Sequence, residues 1–354
     1  MKKLMLALVM GASAGTVAAQ SAVTVYGLVD VGLVRESGAA AGASTKLTSG
    51  VASGSRLGFK GVEDLGGGMS ALFLLENGFQ ADTGAQGQGG LLFGRQAYVG
   101  LSSKIGTLTL GRQYTPQYLA IAAVDPFGSG LAGDTKNLMA ATGNGASRMD
   151  NAVKYQSPVS HGVSGELVWG AGEVAGAQSA SRQLGGAIAY ANGPLLLRLA
   201  HHHRNNDSAT VAASSARNSV LTALYDFGPA KLHFAYGRDR GLNSAPLRNA
   251  ANPYGYATAP LASTDSRDLL LGVSLPYGQH QWMMSYIRKD DRMAANQDAH
   301  QLALGYRYYL SKRTDLYAAV AHISNSNGAG YTVGSAIEGG SGNKAVNLGL
   351  RHSF

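Results

Sequence analysis

The sequence predicts an all-β fold, a transmembrane antiparallel β-barrel of sixteen strands, on three observations. Its 354 residues carry only 14% charged side chains but 49 glycines and 17 scattered tyrosines, a composition unsuited to a soluble helical enzyme. Apolar and polar residues alternate with a period of two, as strands require. The connections between these alternating segments are by turns short and long, the rhythm of a barrel with short turns on one side and long loops on the other.

Residues 1–19 read as a signal peptide. Lys2 and Lys3 make the positive start, Leu4 to Met10 the apolar core, and Val17-Ala18-Ala19 the small-residue cleavage site. That core is far shorter than the roughly 20 apolar residues of a membrane helix. Removing Lys2 and Lys3 with the leader lowers the formal net charge from +8 to +6. Residues 20–354 then form one barrel. The chain has no cysteine, so no disulfide or thiolate–metal site can form, and no cofactor is expected.

From Ala22 to Val31, valines at odd positions share one face while Thr24, Tyr26 and Asp30 share the other. From Met69 to Phe79, Ala71, Phe73, Leu75 and Phe79 oppose Ser70 and Glu76. Leu195, Leu197 and Leu199 oppose Arg198. At the end, Val346, Leu348, Leu350 and Phe354 oppose Asn347, Gly349, Arg351 and Ser353.

Short turns fall at Asp64–Gly68, Asn192-Gly193, Gly228-Pro229, Pro276–Gly278 and Ser311–Arg313. Polar connections run from Ser37 to Gly54, Arg240 to Ser266 and Ser324 to Gly342. Each candidate strand has about ten residues, enough to cross a bilayer at a tilt. Closure is obligatory, because no unpaired sheet edge can face lipid. A barrel of this size is too wide for its own side chains to fill, which leaves an aqueous channel.

Several peptides in order resemble the Gram-negative trimeric porins, most of all their β-proteobacterial branch. They are Val23-Thr24-Val25-Tyr26-Gly27, Gly54-Ser55-Arg56-Leu57-Gly58-Phe59-Lys60-Gly61, Glu63-Asp64-Leu65-Gly66-Gly67-Gly68 and Phe93-Gly94-Arg95-Gln96-Ala97-Tyr98-Val99-Gly100-Leu101. Leu110-Gly111-Arg112-Gln113-Tyr114, Asn151-Ala152-Val153-Lys154-Tyr155 and the ending Leu348–Phe354 complete the set.

The resemblance implies an outer-membrane general diffusion porin that passes ions and small hydrophilic solutes. It implies a homotrimer with one pore per subunit, set among outer-membrane lipid and lipopolysaccharide. The third outer loop, about residues 115–150 here, would fold inward as the constriction. Related porins often carry a Pro-Glu-Phe-Gly-like motif in that loop; this chain has Asp125-Pro126-Phe127-Gly128, with the acid ahead of the proline. The resemblance also implies that Phe354 is read by the barrel-assembly machinery.

The pore candidates follow. Arg56 and Lys60 alternate against Leu57 and Phe59 and should face the lumen, since a charge in mid-bilayer lipid costs about 2–4 kcal/mol. By position in the family, Arg56, Arg95 and Arg148 match an arginine cluster opposite the folded loop. Arg95 shares parity with Ala97 and Val99, so it faces the lumen only if that face does, with Tyr98 then turned outward. Arg112 shares parity with Leu108 and Leu110, which favours the outer face; a subunit contact and a pore role both stay open. Glu76 should face inward and brace the arginines, with Asp125 and Asp134 as loop acids across the opening. The excess of basic over acidic residues suggests a mild anion preference.

Other chemistry finds little support. In His201-His202-His203 neighbours point to opposite faces of a strand, so at most two could converge on a metal. Gly170-Ala171-Gly172 misses the dinucleotide fingerprint. The scattered arginines and the leader argue against nucleic acid. Two alternatives to a channel are a surface adhesin or receptor, with its function in the outer loops, and a lipid-hydrolysing barrel, which needs a serine–histidine pair.

Overall fold

The computed structural model describes residues 22–140, 147–246 and 252–354. The signal-peptide expectation therefore lies outside the described residues. The strands are β1 (Ala22–Ser37), β2 (Ser44–Ser49), β3 (Arg56–Gly66), β4 (Met69–Gly78), β5 (Gln96–Ser103), β6 (Gly106–Tyr114), β7 (Arg148–Gln156), β8 (Val163–Gly170) and β9 (Gln183–Asn192). They continue as β10 (Leu195–Arg204), β11 (Ala216–Asp226), β12 (Lys231–Arg240), β13 (Asp265–Tyr277), β14 (His280–Asp291), β15 (Ala299–Tyr309), β16 (Thr314–Asn325) and β17 (Lys344–Ser353). All pair antiparallel with their neighbours, and β17 returns to β1 to close the barrel.

Seventeen strands fill sixteen positions. Both β2 and β3 pair with β1, β2 along its second half and β3 along its first. The chain leaves the wall between them, at residues 50–55, and then resumes the same strand position. The stretch Ser37–Gly54 is thus not wholly a polar loop: Ser44–Ser49 is strand, with Leu47 59% exposed on the outer face and Thr48 and Ser49 buried.

The wall is apolar outside and polar inside. In β17, Leu348 is 58% exposed while its neighbour Asn347 is 1% exposed. Val23, Leu199, Leu304 and Val346 are likewise exposed, whereas Asp30, Asn218, Thr222 and Lys289 are buried. No helix among the described residues is long and apolar enough to cross a membrane.

The apolar core lies against the inward face of the wall. After Thr115 caps it by accepting from the Tyr118 N–H, α1 (Pro116–Ala122) begins with proline at its first position, where the missing N–H costs nothing. Ile121, Val124, Phe127, Leu131 and Leu138 follow, all buried. Two wall glycines make room for them. A Cβ on Gly272 would stand 2.4 Å from Pro126, and one on Gly305 2.6 Å from Phe127. Further ties are Leu131 N–H to Val51 C=O at 2.7 Å, His233 Nδ1 with Val124 O at 3.0 Å, and Asn137 Nδ2 donating to Gln301 at 2.7 Å.

Candidate functional site

The segment after β6 and the inner wall of β3 to β7 enclose a cavity of about 960 Å³. Arg56, Arg95, Arg112 and Arg148 line it together with Lys136 and Arg204, and Asp150 is the single acid among the lining residues. Arg56, Arg95 and Arg148 thus lie around one cavity.

Arg56 opens β3 where the chain re-enters the wall. Its Nε donates to Gly54 O at 3.0 Å and its Nη2 to Ser53 Oγ at 2.6 Å. Among the described residues it has no acidic partner. The bend at residues 50–55 thus holds the guanidinium by neutral acceptors rather than by an ion pair.

Arg95 is 6% exposed and Glu76 3%. Arg95 Nε donates to Glu76 Oε1 at 2.7 Å, and Tyr26 donates its hydroxyl to Glu76 Oε2 at 2.9 Å. Glu76 is thus paired with one of the arginines, Arg95. Strand parity misjudges the neighbours, however. Val99 and Leu101 are exposed on the outer face of β5, so Tyr98 turns inward, opposite to the expectation. Arg95 escapes the parity because it precedes β5, in a bend where Gly94 N–H bonds to Leu91 O.

Tyr114 was not foreseen as a site residue. Its hydroxyl accepts from Arg95 Nη2 at 2.9 Å and Arg148 Nη2 at 2.8 Å. The Arg148 guanidinium also lies 4.6 Å from the Tyr114 ring centroid, and the Tyr118 ring stacks on Tyr114 with centroids 4.9 Å apart. One phenol thus spaces two like charges. The only signal was its place at the end of Gly111-Arg112-Gln113-Tyr114. Lys136 and Arg204 were also missed, because nothing local distinguishes a loop lysine or a strand-end arginine from solvated ones.

Arg112 lines the same cavity, donates through Nε to Gly94 O at 2.8 Å and pairs with Asp150. The alternation counted from Leu108 and Leu110 fails to place it because the strand is irregular there. Gly111 takes φ +128°, and β7 sets two residues, Asp150 and Asn151, opposite Arg112.

Lys60 and the loop acids stand apart from the cluster. Lys60 lies over the Tyr26 ring at 5.5 Å and does not line the cavity. Asp125 is turned into its own loop, where it accepts from the N–H groups of Phe127, Ser129 and Thr135 and from Thr135 Oγ1. Burial and the nearby Asp134 carboxylate push its carboxyl up to about 6, against the pull of those donors. Asp134 is fully buried, accepts from Lys136 N–H at 2.9 Å and pairs with Lys136 Nζ at 3.2 Å. Neither acid faces the arginines across the cavity; turn formation in the loop engages both. Phe354 closes the last strand: its N–H donates to Gly27 O at 3.1 Å, and its ring occupies the space where a Gly27 Cβ would lie, 2.2 Å away. No group of metal-binding side chains occurs among the described residues.

A family model described as Gram-negative porin matches residues 6–328. Outer membrane porin protein 32 of Delftia acidovorans is 31% identical over 372 aligned residues, covering the whole of both chains. An outer membrane porin protein of Bordetella pertussis is 31% identical, again over the whole of both. Among solved structures, an anion-selective porin from Comamonas acidovorans aligns with a TM-score of 0.75 at 29% identity, covering 95% of this chain and 100% of that one.

Proposed function

Since the chain belongs to the Gram-negative porin family, we propose that its path is mildly anion-selective and that Arg56, Arg95 and Arg148 set the preference. The protein is an outer-membrane general diffusion porin, a channel and not an enzyme, through which ions and small hydrophilic solutes pass passively. What carries the anion preference is the cavity lining, six basic side chains against Asp150. Low-dielectric walls focus that charge on whatever passes. The similar porin of Comamonas acidovorans is itself anion-selective, which supports the reading.

In this proposal residues 115–150 are the constriction loop. Asp125 and Asp134 shape it, Glu76 holds Arg95 in place, and Lys60 extends the basic wall beyond the cluster. Arg112, on Gly94 O and Asp150, serves the rim of the opening rather than a subunit contact. The exported chain, freed of residues 1–19, assembles as a homotrimer among lipopolysaccharide, with Phe354 read by the barrel-assembly machinery.

Single-channel recording of refolded protein in a planar bilayer, under a salt gradient, tests this. Conductance in steps of three and a reversal potential of anion sign are expected, with Arg56→Gln moving the potential toward zero. Folded protein without conductance would overturn the open pore; an unmoved potential in Arg56→Gln would remove Arg56 from the filter.

A further inference from the structure

The loop after β6 turns an uncharged face to the cavity. α1 lies along β9 to β11, with Gln117, Ala120 and Ile121 buried. Tyr118, Leu119 and Ala122 line the cavity instead, and Ile337, from the connection ahead of β17, lines it too. Neither Asp125 nor Asp134 does, because loop N–H groups, Thr135 and Lys136 engage both carboxylates. An apolar, partly aromatic surface therefore borders the same space as the arginines.

The arginines keep donors free. Arg148 commits Nη2 to the Tyr114 hydroxyl, which leaves Nη1 without a partner among the described residues. Arg204 has no hydrogen-bond partner there either, and its Nε is buried without an acceptor. Arg95, Arg112 and Lys136 each form an ion pair, but Arg56, Arg148 and Arg204 form none among the described residues.

An aromatic pair joins the two surfaces. Tyr114 and Tyr118 stack with centroids 4.9 Å and planes 23° apart, and the Arg148 guanidinium lies 4.6 Å from the Tyr114 centroid. Both rings line the cavity, and among the described residues no ring other than Tyr114 stacks on Tyr118. A flat ring bearing a carboxylate matches this arrangement. The ring meets a phenol, and the carboxylate accepts from a guanidinium in a charge-assisted pair. Chloride gains nothing from the apolar surface, and a polyhydroxylated anion gives up hydrogen bonds to water there. A neutral ring lacks the charge that draws a solute to the arginines.

We infer that the opening holds a seat for aromatic monocarboxylates, the ring on Tyr118 and the carboxylate on Arg148, through which they pass ahead of hydrophilic anions. The inference rests on the anion-selective reading and deepens it by naming a solute class. The seat holds its solute briefly, since conduction needs a site strong enough to fill and weak enough to leave.

Single-channel currents in planar bilayers, with potassium benzoate, cyclohexanecarboxylate or gluconate opposed to potassium chloride, test this. Reversal potentials should rank benzoate about five-fold above cyclohexanecarboxylate in permeability, and further above gluconate. Tyr118→Phe should keep that ranking, and Tyr118→Leu should bring the two ring acids level. The benzoate current should saturate with concentration. A benzoate preference that persists in Tyr118→Leu would overturn the seat in favour of sieving by width. If that variant fails to fold, the parent's titration decides, and a current that rises linearly with benzoate overturns the seat.

Saturation-transfer NMR of benzoate with the detergent-solubilised protein reads the seat without conduction. Arg148→Gln should lose the signal, and an equal signal from benzyl alcohol would overturn the carboxylate contact. Protein that binds benzoate but never conducts would sink the pore reading and leave the seat standing. Protein that conducts chloride but ranks benzoate with gluconate would do the reverse.

Discussion

Tyr317 of β16 donates its hydroxyl to Asp30 of β1 at 2.7 Å, reaching across β17, the strand that closes the barrel. Gly349 on β17 and Gly32 on β1 form the passage: a Cβ on Gly349 would stand 2.2 Å from the Tyr317 hydroxyl, and one on Gly32 2.7 Å. The same carboxylate accepts from the N–H groups of Val51, Ala52 and Ser53. One buried acid therefore ties the seam of the barrel to the bend that presents Arg56.

Tyr317→Phe should cost about 1–3 kcal/mol, the penalty for leaving a buried acceptor short of a donor. Gly349→Ala should cost at least as much, because the ring must move. Urea unfolding followed by tryptophan fluorescence measures both, and neither should alter conductance per pore.

Glu76→Gln should increase anion preference, because it removes the negative charge that neutralises Arg95. It should also lower stability by about 1.5–3 kcal/mol, the range for a hydrogen bond to a charged group. The reversal potential under a salt gradient reads the first effect and thermal unfolding the second. A shift toward cations would contradict the assignment of Glu76.

Asp125 links the loop to pH. Its carboxyl is raised to about 6 in the folded loop and returns to its ordinary value, 3.8, when the loop opens. The folded loop therefore holds a proton more tightly than the open one. That contribution is complete below the ordinary value and is lost as pH rises through about 6, so the loop should be about 1 kcal/mol more stable at pH 5 than at pH 7. Amide exchange at Phe127, Ser129 and Thr135, corrected for intrinsic rates, should show it. Asp125→Asn should abolish the difference.

Deleting Phe354 should impair barrel assembly far more than conduction. The deletion removes both backbone bonds to Gly27 and the ring that lies over it. The fraction of protein reaching a heat-modifiable, protease-resistant form should fall severalfold, while the pores that do form should conduct normally.

Much of the barrel was legible because alternation is a local property. Leu348 beside Asn347 shows which way a strand faces without reference to any other strand. Alternation fails where the backbone ceases to be regular. Ser44–Ser49 was hidden inside a polar stretch, since a six-residue strand among serines and threonines offers little apolar contrast. Tyr98 and Arg112 were misjudged or left open next to the bend before β5 and the irregularity at Gly111. Asp125 and Asp134 illustrate a different limit. Composition shows that a loop has acids, but only its folded turns show that backbone N–H groups and Lys136 claim them first. Tyr114 acquires its role only when Arg95 and Arg148 arrive from distant parts of the chain.

The extra residue in β7 at Asp150-Asn151 stands just ahead of regular pairing and just behind Arg148. Losing the Asn151 codon would restore even spacing and turn Arg148 relative to Tyr114, although no charged side chain had changed. A lineage can therefore retune what such an opening admits by altering the length of a strand, and comparisons of arginine content alone would miss the change.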